Sequence, residues 1–141
     1  MATTRHATTH WEGSLMEGSG QVTLQSSGLG TYDVTWASRA NEPEERTSPE
    51  ELIAAAHSSC FSMALSHALA QAGNPPDALD TAADVTFQPG EGITGIHLTV
   101  RGTVPGLSAE AFAEAAETAK SNCPVSKALA ATTVTLEATL A

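Results

Sequence analysis

The sequence predicts an α+β fold in which helices pack on mostly antiparallel sheet. Three observations predict it: short alternating segments before residue 40, one long helical pattern from residue 49, and a later order of two strands, helices and a final strand. With 141 residues, 41% of them hydrophobic, the chain is long enough for one domain and too short for two ordinary ones. We therefore expect a single domain over residues 1–141, with antiparallel sheets around a buried central helix.

The N-terminal part predicts a three-stranded meander. Residues 10–15, 20–25 and 31–36 alternate in part and are separated by Gly and Ser clusters. If the third strand continues, strict alternation places Arg39 on its polar face. Residues 40–46 then form a charged loop.

A helix is predicted from Pro49. Ser48 can cap it, proline suits the first helical position, and Glu51 would complete a capping box. Gly73 is expected to end it. The two apolar stripes comprise Leu52, Ile53, Ala56, Cys60, Met63 and Ala64, and Phe61, Leu65, Ala68 and Leu69. A helix apolar on so many sides is expected to be central and buried.

Ser58, Ser62 and Ser66 form a ridge of small side chains on this helix, which would let another backbone approach closely. The remaining chain predicts a hairpin, a helix capped by Ser108, and a helix break at Cys123-Pro124. The expected hairpin strands are 80–87 and 93–104 around a turn at 88–92, followed by a short helix over 126–131 and a strand over 134–140.

Composition excludes several classes of function. The net charge is −10 and only six residues are Lys or Arg, which opposes binding to nucleic acid or an anionic membrane. The N-terminus lacks the apolar segment of a secretory signal, so the cytoplasm is the expected compartment. In a reducing compartment, Cys60 and Cys123 are either inert buried thiols or a redox pair.

The two cysteines lie in motifs that resemble a known family. Residues 48–65 (SPEELIAAAHSSCFSMAL) and 122–126 (NCPVS) closely resemble the OsmC/Ohr family of thiol-dependent organic hydroperoxide reductases. Trp11-Glu12-Gly13 and Ser38-Arg39 favour the OsmC branch. The resemblance covers essentially the whole chain, and it implies an OsmC-like fold that forms an intertwined homodimer.

The resemblance also assigns roles to four residues. It implies that Cys60 attacks the peroxide, giving a sulfenic acid, and that Cys123 then closes a disulfide with it. It implies that Arg39 stabilises the thiolate and binds the peroxide, while Glu50 orients Arg39. From physical chemistry alone, Cys123 would be the better nucleophile because it precedes a helix N-terminus, whereas burial of Cys60 raises a thiol pKa.

Helix geometry constrains where these groups can meet. Glu50 precedes Cys60 by ten residues, which is about 15 Å along a continuous helix. Either the helix breaks between them, or Glu50 and Arg39 reach the site from a second subunit. The second route is favoured, because the resemblance implies an intertwined homodimer with sites at its interface and the serine ridge suits such packing.

The resemblance implies no metal, haem or flavin, and an external dithiol as reductant, which in relatives is a lipoylated protein. His57 and Cys60 could be half of a metal site, but no second close pair supplies the other ligands. Leu52, Phe61, Met63 and Leu65 could line an apolar pocket, although core packing is the favoured role of each. The rival function is a non-catalytic dimer that binds a small ligand, or a slow redox sensor on the same fold.

Overall fold

The computed structural model describes residues 1–141, which form two compact units, 1–52 and 53–141. The α+β class is confirmed, with two small sheets and one long helix. That the chain is a single domain stays a prediction. The elements are β1 (Thr8–Glu12), β2 (Ser19–Thr23), β3 (Thr31–Val34), α1 (Trp36–Ala40), α2 (Pro49–Gln71), β4 (Ala78–Gln88), β5 (Gly92–Thr103), α3 (Ala109–Asn122), α4 (Pro124–Ala128) and β6 (Val134–Leu140).

The first unit contains the predicted meander. Its strands pair antiparallel in the order β1-β2-β3, and Thr47 then forms an isolated parallel bridge with Val34. This bridge holds the end of the charged loop beside β3.

The third strand is shorter than predicted, because helix α1 begins at Trp36. Thr35 caps this helix: its hydroxyl accepts from the Ser38 backbone N–H, and the Ser38 hydroxyl accepts from the Thr35 backbone N–H. The expectation that Arg39 continues a strand is therefore wrong, since Arg39 lies in the last turn of a helix. Serine at the third helical position replaces the usual Glu or Gln of a capping box, which is why the pattern did not reveal it.

Helix α2 begins and ends as predicted. The Ser48 hydroxyl accepts from the Glu51 backbone N–H at 3.1 Å, while the Glu51 carboxylate accepts from the Thr47 hydroxyl rather than completing a capping box. Gly73, with φ of 88°, follows its last turn. The helix is continuous over Pro49–Gln71.

The second sheet is mixed rather than antiparallel. The predicted hairpin is present, with β4 and β5 antiparallel. Strand β6, however, pairs parallel to β5, because α3 and α4 carry the chain back across the sheet before β6 begins.

The core of the second unit contains one face of α2, alternate residues of β5, and α3. Its fully or nearly fully buried residues are Phe61, Leu65, Leu69, Ile96, Leu98, Val100, Val104, Phe112, Ala116, Ala119 and Cys123. Gly102 is required in β5, because a Cβ there would lie 2.5 Å from the Phe112 ring. The core thus fixes α2 and α3 on the sheet.

The expected burial of α2 is only half right, because one of its two apolar stripes is buried. Phe61 and Leu65 are fully enclosed, whereas Met63 on the other stripe is 71% exposed. By length and composition α2 could cross a membrane, with a mean hydropathy of 1.2, but core helices of soluble proteins share these properties. Within this chain 22% of that apolar window is buried.

Candidate active site

Arg39 and Glu50 form a bidentate ion pair in the first unit. Arg39 Nε lies 3.0 Å from Glu50 Oε1, and Arg39 Nη2 lies 2.9 Å from Glu50 Oε2. The Glu50 side chain is 8% exposed and that of Arg39 is 32% exposed. A glutamate that only complements the helix dipole would face water, whereas this carboxylate is buried and bonded to the guanidinium.

An apolar cavity of about 390 Å³ adjoins this arginine. Its size falls within the range of small-molecule sites. The cavity is lined by Thr9, Trp11, Leu15, Val22, Val34, Thr35, Trp36, Arg39, Pro49 and Leu52. It therefore combines an apolar wall with one cationic group.

Cys60 and Cys123 are in contact in the second unit, and both are free thiols. Cys123 is fully buried, while Cys60 is partly exposed, so a solute reaches Cys60 first. Burial raises the pKa of the Cys60 thiol, and its hydrogen bond with Cys123 raises this pKa further. Cys60 therefore needs a stabilising charge to attack as a thiolate at neutral pH.

One group opposes these effects within the same unit. The Val125 backbone N–H donates to the Cys60 sulfur, which lowers the pKa of this thiol, though by less than burial raises it. The Val125 N–H is available because it lies in the first turn of α4, where backbone N–H groups have no partner within the helix. The segment that carries Cys123 thus touches Cys60 at two positions.

His57 forms a third contact with this segment, which sequence reasoning missed. Its Nε2 lies 2.7 Å from the Ser126 hydroxyl, and both residues are buried. Burial lowers the pKa of His57, so its ring is neutral. The two residues are 69 positions apart, and no local pattern in the sequence links them. The sequence indicates only that His57 lies on a helix face near the site.

The residues expected to line an apolar pocket are divided by the structure. Leu52 lines the cavity beside Arg39. Phe61 and Leu65 belong to the core instead, and Met63 lines a shallow depression over α2 and β4. Of the four residues, one lines the cavity beside Arg39, two are in the core, and one lines the depression.

The serine ridge on α2 is approached by a strand of the same chain. The Ser62 hydroxyl lies 2.6 Å from that of Thr81 in β4, and Thr81 also donates to the Ser58 carbonyl. Small side chains at this ridge let β4 come close to the helix.

The family is decided by comparison with known proteins. The family model described as OsmC-like protein matches residues 42–138. The chain is 44% identical over 125 residues to Peroxiredoxin OsmC of Escherichia coli (strain K12), covering 86% of this chain and 87% of that protein. The chain belongs to the OsmC-like family.

Solved structures agree on the fold of this OsmC-like chain. The organic hydroperoxide resistance protein OhrB of Bacillus subtilis is similar with a TM-score of 0.67 and 24% identity, covering 96% of this chain and 98% of that one. The OsmC-like protein from Mycoplasma pneumoniae gives a TM-score of 0.72 at 14% identity, covering 99% of both chains. At such identities the likeness concerns the fold alone.

Proposed function

We propose that this OsmC-like chain is a thiol-dependent peroxidase that reduces organic hydroperoxides to alcohols, and hydrogen peroxide more weakly. The observation that carries the proposal is the Cys60–Cys123 contact. It occurs in a chain 44% identical to a protein named a peroxiredoxin. A pair of thiols already in contact supplies both the attacking group and the group that resolves the product.

The proposed chemistry has three balanced steps. The Cys60 thiolate attacks the terminal peroxide oxygen, the O–O bond breaks, and the alkoxide takes a proton and leaves as the alcohol. The resulting Cys60 sulfenic acid condenses with the Cys123 thiol, which forms the disulfide and releases water. An external dithiol then reduces the disulfide by thiol exchange, and a lipoylated protein is the proposed donor.

Arg39 and Glu50 are proposed to serve the first step. The guanidinium stabilises the Cys60 thiolate, whose pKa burial otherwise raises, and positions the peroxide. Glu50 holds the guanidinium through the bidentate ion pair. Because α2 runs unbroken over Pro49–Gln71, we propose that Arg39 and Glu50 act on the thiols of a second protomer.

A homodimer also accounts for the exposed side of α2. Only 22% of the most apolar window of this helix is buried by its own chain, and Met63 is 71% exposed. Exposed apolar residues on one face of a helix are typical of a surface that another molecule covers. We propose that a second copy covers it, and that the protein acts in the cytoplasm.

The cavity beside Arg39 supports an organic substrate. Its walls are largely apolar, so the alkyl or aryl body of a hydroperoxide gains free energy by leaving water there. Hydrogen peroxide has no such body. The cavity therefore favours organic hydroperoxides without changing the chemistry of the thiol.

Replacing Leu15 at the cavity wall is expected to separate the two substrates. Leu15 is 56% exposed, so Leu15→Ser should not disturb folding. We expect kcat/KM for cumene hydroperoxide to fall about tenfold, since roughly 1–2 kcal/mol of apolar contact is lost. The value for hydrogen peroxide should not change.

The matched control is Leu29→Ser, at a leucine that is 76% exposed and outside the cavity. In steady-state kinetics, kcat/KM of this variant should equal that of the wild type for both peroxides. An equal fall in kcat/KM for both peroxides in Leu15→Ser would contradict the proposed substrate cavity.

Thiol counting tests the proposed function directly. One equivalent of cumene hydroperoxide should remove two free thiols per chain, without linking chains together on a non-reducing gel. A protein that only binds a small ligand would lose few thiols, and a redox sensor would lose them at a much lower rate. The first result would favour the ligand-binding protein over the peroxidase, and the second would favour the redox sensor.

A further inference from the structure

His57 and Ser126 lie beside the two cysteines in a repeated arrangement. His57 is three residues before Cys60 on α2, and Ser126 is three residues after Cys123. Three residues make about one helical turn, so the His57–Ser126 hydrogen bond runs beside the thiol contact on the neighbouring turn. Both contacts join α2 to the same short segment.

That segment has little of its own to hold it in place. Helix α4 has five residues, and Cys123 makes no side-chain hydrogen bond that caps it. A helix of this length is not stable by itself in water. Its position therefore depends on tertiary contacts. Val125 and Leu129 pack against the core, and the buried 2.7 Å bond between His57 and Ser126 adds a side-chain hydrogen bond to α2.

A histidine at position 57 lowers the stability of the fold. His57 Nδ1 is buried without a hydrogen-bond partner, although His57 continues the i, i+4 ridge of Phe61, Leu65 and Leu69 that forms the core. An unpaired buried polar atom destabilises the fold, and an aliphatic residue would avoid that loss. The Nε2 contact with Ser126 is what the structure gains in return.

We propose that the His57–Ser126 hydrogen bond is a clamp that holds Cys123 against Cys60, so that the disulfide closes before a second peroxide reaches the sulfenic acid. The inference rests on the proposed function, because it concerns the second step of that reaction. His57 and Ser126 are positioning residues and touch no substrate. Without the clamp, the competing step oxidises Cys60 sulfenic acid to sulfinic acid, and the second hydroperoxide is reduced to its alcohol.

Ser126→Ala removes the clamp with the smallest change in volume. We expect disulfide closure to slow by about tenfold to a hundredfold, since small misplacements of reacting groups have effects of this size. The fraction of Cys60 found as sulfinic acid, measured by intact mass at rising cumene hydroperoxide concentration, should rise by the same factor relative to disulfide. Ser121→Ala is the matched control, because Ser121 is exposed and bonds only to a carbonyl of its own helix.

A second measurement keeps the clamp testable if the protein proves not to be a peroxidase. Cys60 is first converted to a mixed disulfide with thionitrobenzoate, and Cys123 then attacks it, forming the Cys60–Cys123 disulfide and releasing the coloured thiolate. The release rate reports closure without any peroxide. Closure slowed in Ser126→Ala but not in Ser121→Ala supports the clamp.

Two results would overturn the inference. One is closure in Ser126→Ala at the wild-type rate. The other is a change of Cys60 labelling and of closure by the same factor, together with a lower urea midpoint, since a general loss of stability affects both reactions alike. Absence of any reaction of the wild type with hydroperoxide, with normal closure of the mixed disulfide, would instead remove the proposed function and leave the clamp standing.

Discussion

The Cys60→Ser variant is expected to lose hydroperoxide reduction by more than about a thousandfold, because it removes the nucleophile itself. Cys123→Ser should still consume a first equivalent of cumene hydroperoxide per chain, and any further consumption should be slower, since it oxidises the sulfenic acid to sulfinic acid. Its Cys60 sulfenic acid would have no thiol to condense with and should accumulate. Stopped-flow mixing with cumene hydroperoxide and hydrogen peroxide, followed by trapping with a sulfenic-acid reagent, measures both steps.

The structure gives a physical reason for this order of events. Cys123 is fully buried and Cys60 is partly exposed, so access favours Cys60. The position of Cys123 before α4 points the other way, since a helix N-terminus stabilises a thiolate. If Cys60→Ser reacts as fast as the wild type, the roles are reversed or the thiols are incidental, and the ligand-binding dimer becomes the better explanation.

Local signals in the sequence were enough for the elements that carry these cysteines. Ser48 and Gly73 bracket helix α2 because capping and left-handed termination depend on neighbouring residues alone. The break at Cys123-Pro124 is equally local. Both thiols could therefore be placed on their elements without a structure.

Features that depend on distant residues could not be predicted in this way. The parallel pairing of β6 with β5 follows from the path of α3 and α4, and nothing in residues 134–140 records it. The same holds for His57 and Ser126, whose pairing joins two helices across 69 positions. The prediction missed helix α1 for another reason, because a five-residue helix capped by Thr35 resembles the end of an alternating strand.

The Arg39–Glu50 pair shows the limit most clearly. Its two members could be selected only by family resemblance, since an arginine after a strand and a glutamate in a first helical turn are ordinary residues. The structure brings them together at 2.9 Å within one chain. The proposal that they act on the thiols of a second protomer can be tested directly.

Mixing two inactive variants is expected to restore activity. Arg39→Ala lacks the guanidinium but keeps both thiols, whereas Cys60→Ser keeps the guanidinium but lacks the nucleophile. If the pair acts on the partner's thiols, a mixed dimer has one intact site. Random pairing makes half of the dimers mixed, so about a quarter of the wild-type sites should return.

Equal amounts of the two variants are refolded together, and the dimer is isolated at twice the 14.5 kDa mass of one chain. Hydroperoxide turnover by this dimer is then measured with a dithiol as reductant. Two controls use pairs that the structure places within one chain. Mixtures of Arg39→Ala with Glu50→Ala, and of Cys60→Ser with Cys123→Ser, should show no more activity than the separate variants, because neither mixed dimer contains a site with all four groups. Activity that fails to return in the Arg39→Ala and Cys60→Ser mixture would mean that arginine and thiol act within the same chain, and that α2 must bend or break during the reaction for them to meet.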